Sequence, residues 1–179
     1  MTRLSLLLNA LLLSSLILLS GCSSNAPVEQ PEPGLHDLID EAARGMLDAN
    51  PDLTRYSPMI AATFVSIDNL SQSSTLGRMG SELFASALSR GGMQVREVKM
   101  RDSLYIEKDV GELILSREVQ RLSRAHDARS ILMGTYAQGQ NTLYLSVRLV
   151  RSGDAMVLSS TNIAVPLDNN LRSMLGGGW

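Results

Sequence analysis

The first 21 residues limit which part of the chain can fold. Arg3 carries a positive charge, and a run rich in leucine extends from residue 4 to residue 19. A membrane-spanning helix needs about 20 predominantly apolar residues, whereas this run is shorter and is interrupted by Asn9 and by serines. Its length and flanks are typical of a secretory signal peptide. We therefore expect residues 1–21 to be removed on export.

The signal-like segment ends in Leu19-Ser20-Gly21-Cys22, which resembles the lipobox of bacterial lipoproteins. Small residues before a cut let an extended backbone enter a peptidase, and a cysteine thiolate is the nucleophile that takes up lipid. We expect cleavage between Gly21 and Cys22 and a covalent lipid on Cys22. The resemblance implies more than one acyl chain, as stable anchoring requires. An ordinary secretory peptide followed by a stray thiol is the alternative.

The residue after the cysteine bears on the destination of the chain. Ser23 stands where lipoproteins retained in the inner membrane usually carry aspartate. By analogy with that sorting rule, we expect a lipid anchor in the outer membrane, on its periplasmic face. No cofactor is expected beyond the covalent lipid on Cys22.

Charge and cysteine content exclude several classes of function. The chain has 16 basic and 18 acidic residues, and loss of Arg3 with the signal leaves 15 basic residues. A mildly acidic mature chain has no electrostatic basis for binding nucleic acid. Aromatic residues make up only 4% of the chain, so the sequence does not indicate a stacking surface for bases or sugars. A single cysteine allows no intramolecular disulfide.

The mature chain begins with two segments of different character. Residues 22–33 contain three prolines and no apolar period, as expected of a lipidated tether. Residues 34–51 then have the spacing of an amphipathic helix, which Asn50 and Pro51 terminate. Its apolar stripe has two interpretations: it packs against the sheet of its own domain, or it docks on a neighbouring subunit.

Residues 52–168 predict one α/β domain. An apolar run at 58–67, a helix at 75–90 and a strand at 93–98 form a β-α-β unit with parallel pairing. The apolar face predicted for this first helix comprises Leu76, Met79, Leu83, Ala87 and Leu88, and Gly77 and Gly80 indicate close approach to the sheet. A further helix is predicted at 116–126 and further strands at 129–137, 143–149 and 155–164. We expect a two-layer α/β sandwich with a mixed five-stranded sheet and two or three helices. Residues 169–179, which end in three glycines and Trp179, are expected to form a flexible tail.

The sequence gives little support for a catalytic site or a metal site. The two histidines, His36 and His126, lie far apart, and no serine has the glycine pattern of a nucleophile elbow. His126 and Asp127 fit a helix end and the start of a turn. We expect no catalytic residue, no metal ligand set and no enzyme.

One charge pattern has two interpretations. Arg117, Arg121 and Arg124 recur at i, i+4 and i+7 on the predicted helix at 116–126. Such a row is either a solvated face that forms local ion pairs, for example with Glu118, or a docking face for an acidic partner or anionic lipid.

Five short segments carry a resemblance to a known family. They are Arg78-Met79-Gly80, Val95-Arg96-Glu97-Val98, Leu115-Ser116-Arg117-Glu118-Val119, Leu132-Met133-Gly134-Thr135-Tyr136 and Val147-Arg148-Leu149-Val150. In order and spacing they resemble the FlgO family of flagellar outer-membrane lipoproteins. The resemblance implies a fold similar to the N-terminal domain of TolB. It also implies a non-enzymatic part of the flagellar envelope assembly, an accessory ring or disk that supports motility. It offers no catalytic residues.

Three functional hypotheses follow. The first is a structural flagellar lipoprotein that forms a homo- or hetero-oligomer with other ring lipoproteins or periplasmic ring proteins. The second is a tethered periplasmic binding module that regulates a peptidoglycan synthase or a secretion complex, since the implied fold also occurs there. The short tether argues against this second hypothesis, because it limits how far the domain can extend from the membrane. The third, a small hydrolase, has only the serines in its favour.

Overall fold

Five strands form one mixed sheet in the computed structural model, which describes residues 33–70, 72–96 and 123–176. β1 and β2 both pair in parallel with β3, whereas β3, β4 and β5 form antiparallel pairs. The predicted mixed five-stranded sheet is therefore confirmed. The strands are β1 (Met59–Ala61), β2 (Val65–Ser66), β3 (Ser130–Gln138), β4 (Thr142–Arg151) and β5 (Val157–Pro166).

The membership of the sheet differs from the prediction at its parallel edge. The single strand expected at 58–67 is divided into β1 and β2, because the chain leaves β3 between them and buries the ring of Phe64. The backbone N–H of Phe64 donates to Gly77 instead of to a strand. The strand expected at 93–98 is present only as an isolated parallel bridge from Val95 to Met59, and its last residues lie outside the described ranges.

Three α-helices and one 3-10 helix lie wholly within the described ranges: α1 (Leu35–Ala49), the 3-10 helix (Leu53–Tyr56), α2 (Thr75–Arg90) and α3 (Asn169–Leu175). α2 has the predicted bounds, since Ser74 caps it by accepting a hydrogen bond of 3.1 Å from the backbone N–H of Gly77. Of the helix predicted at 116–126, only 123–125 are described, and they are helical.

α1 packs on the domain's own sheet, which confirms the first interpretation of its apolar stripe. It contacts β5 and α2, and Ile39, Ala43 and Met46 are fully buried. The hydroxyl of Ser159 on β5 donates to the carbonyl of Met46 over 2.9 Å. An ion pair between Asp40 and Arg90 joins α1 to α2 on the solvent side.

The inner face of α2 was predicted correctly except at Met79. Leu76, Ala87 and Leu88 are buried and Leu83 is half-buried, but the side chain of Met79 is 42% exposed. The helix approaches the rest of the domain through Gly77 and Gly80, and this orientation turns Met79 towards solvent.

The sheet buries apolar side chains on both faces. On the face under α1 and α2, the apolar residues of β4 alternate inward. The main members of this core are Phe64, Phe84, Leu132, Tyr136, Leu143, Leu145, Val147, Leu149 and Val165. On the opposite face, a smaller cluster lies at one end of the sheet and comprises Ile60, Ala62, Ala128, Ile131, Met133 and Val150.

The prediction of a flexible tail over 169–179 is wrong for its first part. Residues Asn169–Leu175 form α3, which contacts α2. Asp168 caps the helix by accepting a hydrogen bond of 2.7 Å from the backbone N–H of Leu171, whose side chain is buried. Arg172 also donates to the carbonyl of Gln140 over 2.6 Å. The cap and one buried leucine therefore order a segment for which the nearby glycines had suggested a flexible tail.

Replacement of the capping residue tests this account of α3. Asp168→Ala leaves a backbone N–H without its cap, and such losses cost about 1 kcal/mol. We expect the urea unfolding midpoint to fall and amide exchange across Asn169–Leu175 to accelerate. Ser173→Ala, which removes an exposed hydroxyl within the same helix, serves as the control and should change the free energy of unfolding by less than about 0.5 kcal/mol. Equal effects of the two variants would contradict a specific role for the cap.

Among the described residues, no helix combines the length and the apolar character needed to cross a bilayer.

Candidate functional site

The structure describes only part of the predicted site. Gly21 and Cys22, the expected cleavage and lipid-attachment residues, lie outside the described ranges, as do Arg117 and Arg121. Arg124 is described. The row of three arginines therefore stays a prediction, and the surroundings of its last member can be stated.

Arg124 lies in a helical turn beside an open cavity of about 540 Å³. Asp127 follows it with a left-handed φ of 49°, a conformation that aspartate tolerates better than most residues. This ends the helix and starts a turn, as predicted for His126 and Asp127. Arg129 on the cavity wall is exposed and donates to the carbonyl of Arg55 over 3.4 Å. The cavity is lined by Ser123, Arg124, Asp127, Ala128, Arg129, Ser152 and Gly153, so its charge is mainly positive.

A bidentate ion pair lies at the turn between β4 and β5. Arg151 donates from Nε and Nη2 to the two carboxylate oxygens of Asp154 over 2.8 and 2.6 Å. These hydrogen bonds hold the pKa of Asp154 below its ordinary value and raise that of Arg151. Because Arg151 is half-buried, Asp154 is exposed and each group hydrogen-bonds the other, the pair serves to hold the turn between β4 and β5.

The second face of the sheet carries an open groove at the end away from the smaller core cluster. Its volume is about 360 Å³. Ile67 and Tyr144 are the large apolar side chains at its mouth, and they are 56% and 54% exposed. Its lining residues are uncharged: Ile67, Thr135, Tyr136, Ala137, Tyr144, Leu145, Ser146, Asn162, Ile163 and Ala164. Pairing brings Tyr144 opposite Ala164, and Ser146 opposite Asn162, across β4 and β5.

The groove was missed by reasoning from the sequence. Alternation along β4 assigns Leu143 and Leu145 to the core and therefore places Tyr144 on the other face. A large apolar side chain at an outward position was the available signal. It was uninformative alone, because single exposed apolar residues are normal on protein surfaces.

The chemistry of the groove suits contact with another protein better than catalysis. Its polar groups are hydroxyls and one amide, and its exposed titratable side chain is that of Tyr144, since Tyr136 packs in the core under α1 and α2. Within residues 33–70, 72–96 and 123–176, no three His, Cys, Asp or Glu side chains lie together as a metal site would need. The groove therefore offers shape, apolar area and hydrogen bonds.

Known structures share this fold. The C-terminal domain of LpoB from Salmonella enterica aligns with a TM-score of 0.56 and 14% identity, covering 74% of this chain and 98% of that domain. The Escherichia coli LpoB C-terminal domain aligns with a TM-score of 0.55, the same identity and the same coverage. The solution structure of E. coli LpoB gives a TM-score of 0.51 and 14% identity over 83% of this chain and 78% of that one. At such identities the likeness shows the fold alone.

Sequence comparison decides the family. No curated protein matches the chain. The sequence model of the FlgO protein family, however, matches residues 40–170, which include the whole described sheet, all of α2 and α1 from Asp40 onwards. Because this match spans most of the chain, the protein belongs to the FlgO family, as the order of its short segments indicated.

Proposed function

We propose that this protein is a non-enzymatic outer-membrane lipoprotein of the flagellar envelope assembly, an accessory ring or disk component that flagellar stability and motility require. The observation that carries the proposal is the FlgO family match over residues 40–170. The lipobox-like segment that ends at Cys22 supports the anchor. The uncharged groove beside Tyr144 supports a role in protein contact.

The position of α1 sets how far the folded part can lie from the membrane. The described fold begins at Leu35, so the tether from Ser23 spans at most about 40 Å when fully extended. A short tether keeps the domain close to the anchoring leaflet and raises its effective concentration for neighbours on the same surface. This favours partners that are themselves outer-membrane ring lipoproteins or periplasmic ring proteins next to that membrane.

Deletion and complementation test the proposal. We expect the deletion strain to lose swimming in soft agar and the wild-type gene to restore it. Cys22→Ala, which removes the lipid acceptor, should fail to restore swimming. Ser23→Asp is the matched control for location, because it keeps the acceptor and introduces the aspartate associated with inner-membrane retention. Rescue by wild type alone supports an outer-membrane role. Normal swimming of the deletion strain, with intact flagella, would remove the flagellar proposal.

The arginine row calls for a separate test. If Arg117, Arg121 and Arg124 dock on an acidic partner or anionic lipid, changing all three to glutamine should reduce swimming while the amount of protein at the membrane stays constant. If they form a solvated face, the triple variant should swim normally. Full assembly of the triple variant would eliminate docking through this row.

The second candidate is a tethered binding module that regulates a peptidoglycan synthase or a secretion complex. The fold shared with the LpoB C-terminal domains is compatible with it, but 14% identity carries no residue-level argument. The short tether counts against long reach into the periplasm. A deletion strain that swims normally but becomes sensitive to cell-wall antibiotics would favour this candidate.

A further inference from the structure

β5 is the last strand of the sheet among the residues that the structure describes. The backbone N–H of Leu167 donates to Asn141 over 2.9 Å, which shows that odd-numbered residues of this strand face β4. Because hydrogen-bonding direction alternates along a strand, the N–H and C=O groups of Ser160, Asn162 and Ala164 point away from β4. The three side chains are exposed as well.

Both ends of this outer edge are closed to further pairing. The strand bulges beside Leu158, and the side-chain amide of Asn50 donates to the outward carbonyl of Leu158 over 3.0 Å. At the other end, Pro166 has no N–H to donate. The usable edge is therefore the segment from Ser160 to Ala164.

The bulge and Pro166 guard the two ends of the edge, but the usable segment between them carries no charged side chain. Natural edge strands are guarded by charged side chains, lysine above all, yet β5 contains no charged residue. The side of α1 next to this edge is also formed by uncharged residues. Asp40, Arg44 and Leu47 face α2, so helical periodicity turns Leu38, Gly45 and Ala49 towards the β5 edge. A Cβ built on Gly45 would meet no atom within 4 Å, so the surface of α1 is open at this residue.

We propose that this edge pairs antiparallel with β5 of a second copy of the chain, with Asn162 facing Asn162 of the partner subunit across a twofold axis. In this register Ser160 lies opposite Ala164 of the partner subunit, and the sheet continues through both copies. About six backbone hydrogen bonds would form, since each hydrogen-bonded pair exchanges two. The small residues on α1 would let the two α1 helices lie side by side.

The register follows from the closed ends of the edge. When Asn162 faces its counterpart, Leu158 lies opposite Pro166 of the partner subunit. The proline cannot donate to the Leu158 carbonyl, and Asn50 already supplies that hydrogen bond. Shifting the register by two residues would place either Ala164 opposite Leu158 at the bulge or Ser160 opposite Pro166, and outward N–H or C=O groups would then lack a partner. A second copy also brings no charge to this edge, whereas a charged partner strand would find no countercharge on β5.

Cysteine cross-linking tests both the pairing and its register. Opposed residues of a hydrogen-bonded antiparallel pair have Cα atoms about 5.5 Å apart, within reach of a disulfide. Asn162→Cys should therefore give a disulfide-linked dimer on non-reducing gels of cells that make the full chain. Ser160→Cys is the matched control on the same edge, because two copies of residue 160 would lie at least about 13 Å apart. Wild type, whose only cysteine is Cys22, reports any background. We expect about tenfold more dimer from Asn162→Cys, since only that position meets the distance limit.

Charge variants provide the second measurement. Asn162→Asp and Asn162→Lys each place like charges opposite one another, which opposes pairing, so each protein alone should sediment as a monomer. An equimolar mixture should form a heterodimer. Wild-type chain that stays monomeric, or cross-linking as strong through Ser160→Cys as through Asn162→Cys, would overturn the proposal. The flagellar role does not depend on these results, because the deletion phenotype is measured separately.

Discussion

Phe64→Ala is expected to lower the free energy of unfolding by about 3–5 kcal/mol, the range for deleting a fully buried aromatic side chain. The ring of Phe64 has no solvent exposure and packs at a tilt against Phe84, with 5.8 Å between ring centroids. Gly80 and Gly134 approach it from α2 and β3. Because the residue lies between β1 and β2, its loss also weakens the turn that links these strands.

Urea unfolding of the mature chain, followed by circular dichroism, measures this loss. Phe64→Leu should cost less than Phe64→Ala, since leucine refills much of the space. Ile67→Ala is the control, because Ile67 is more than half exposed and directly follows β2, whereas Phe64 directly precedes it. A loss below about 1 kcal/mol for Phe64→Ala, comparable with the mean of all point substitutions, would show that Phe64 does not hold the parallel edge to α2.

Much of the antiparallel part of the fold could be read from the sequence. The strands predicted at 129–137, 143–149 and 155–164 follow from local patterns, and each predicted strand end lies within about three residues of the observed one. The bounds of α2 could also be predicted from the sequence, because Ser74 and Gly91 mark its two ends. Local patterns suffice where the pairing partners are neighbours in the chain.

The parallel edge could not be predicted in the same way. The division of the run at 58–67 depends on glycines in α2 and β3 that receive the ring of Phe64, and an apolar run does not reveal which distant residues surround it. Met79 was misplaced for a related reason. The close approach of Gly77 and Gly80 was predicted, but the count of apolar residues by helical period still placed Met79 on the inner face, which the glycine side turns away from the sheet.

The candidate interaction surfaces depend on tertiary structure even more strongly. Asn162 and Ala164 are ordinary strand residues in the sequence, and they become notable only because β5 ends the described sheet. The lipid-attachment site, by contrast, does not depend on tertiary structure. Cys22 lies outside the described ranges, and the sequence alone predicts its role.

Gly77→Ala is expected to lower the free energy of unfolding by about 2–3 kcal/mol, although alanine is the better helix former by about 1 kcal/mol. A Cβ on Gly77 would lie 2.2 Å from the backbone carbonyl oxygen of Phe64 and 2.9 Å from the hydroxyl of Ser73. That hydroxyl donates to the same carbonyl over 3.0 Å, and the N–H of Phe64 donates to Gly77 over 3.2 Å. Backbone cannot move aside as a flexible side chain can, so α2 would have to shift away from the chain between β1 and β2.

Gly45→Ala is the matched control for this substitution, since it makes the same change within a helix where the added Cβ meets no atom. Both glycine variants are measured in the Asn162→Lys background, in which like charges block the proposed pairing between copies. Helix propensity then acts alone in Gly45→Ala, and the free energy of unfolding should rise by about 0.5–1 kcal/mol. The two glycine variants should therefore move the urea midpoint in opposite directions. A stabilising effect of Gly77→Ala would mean that α2 does not approach Phe64 this closely. Phe64→Leu should not rescue Gly77→Ala, because the obstruction is the Phe64 backbone and the side-chain change leaves it in place.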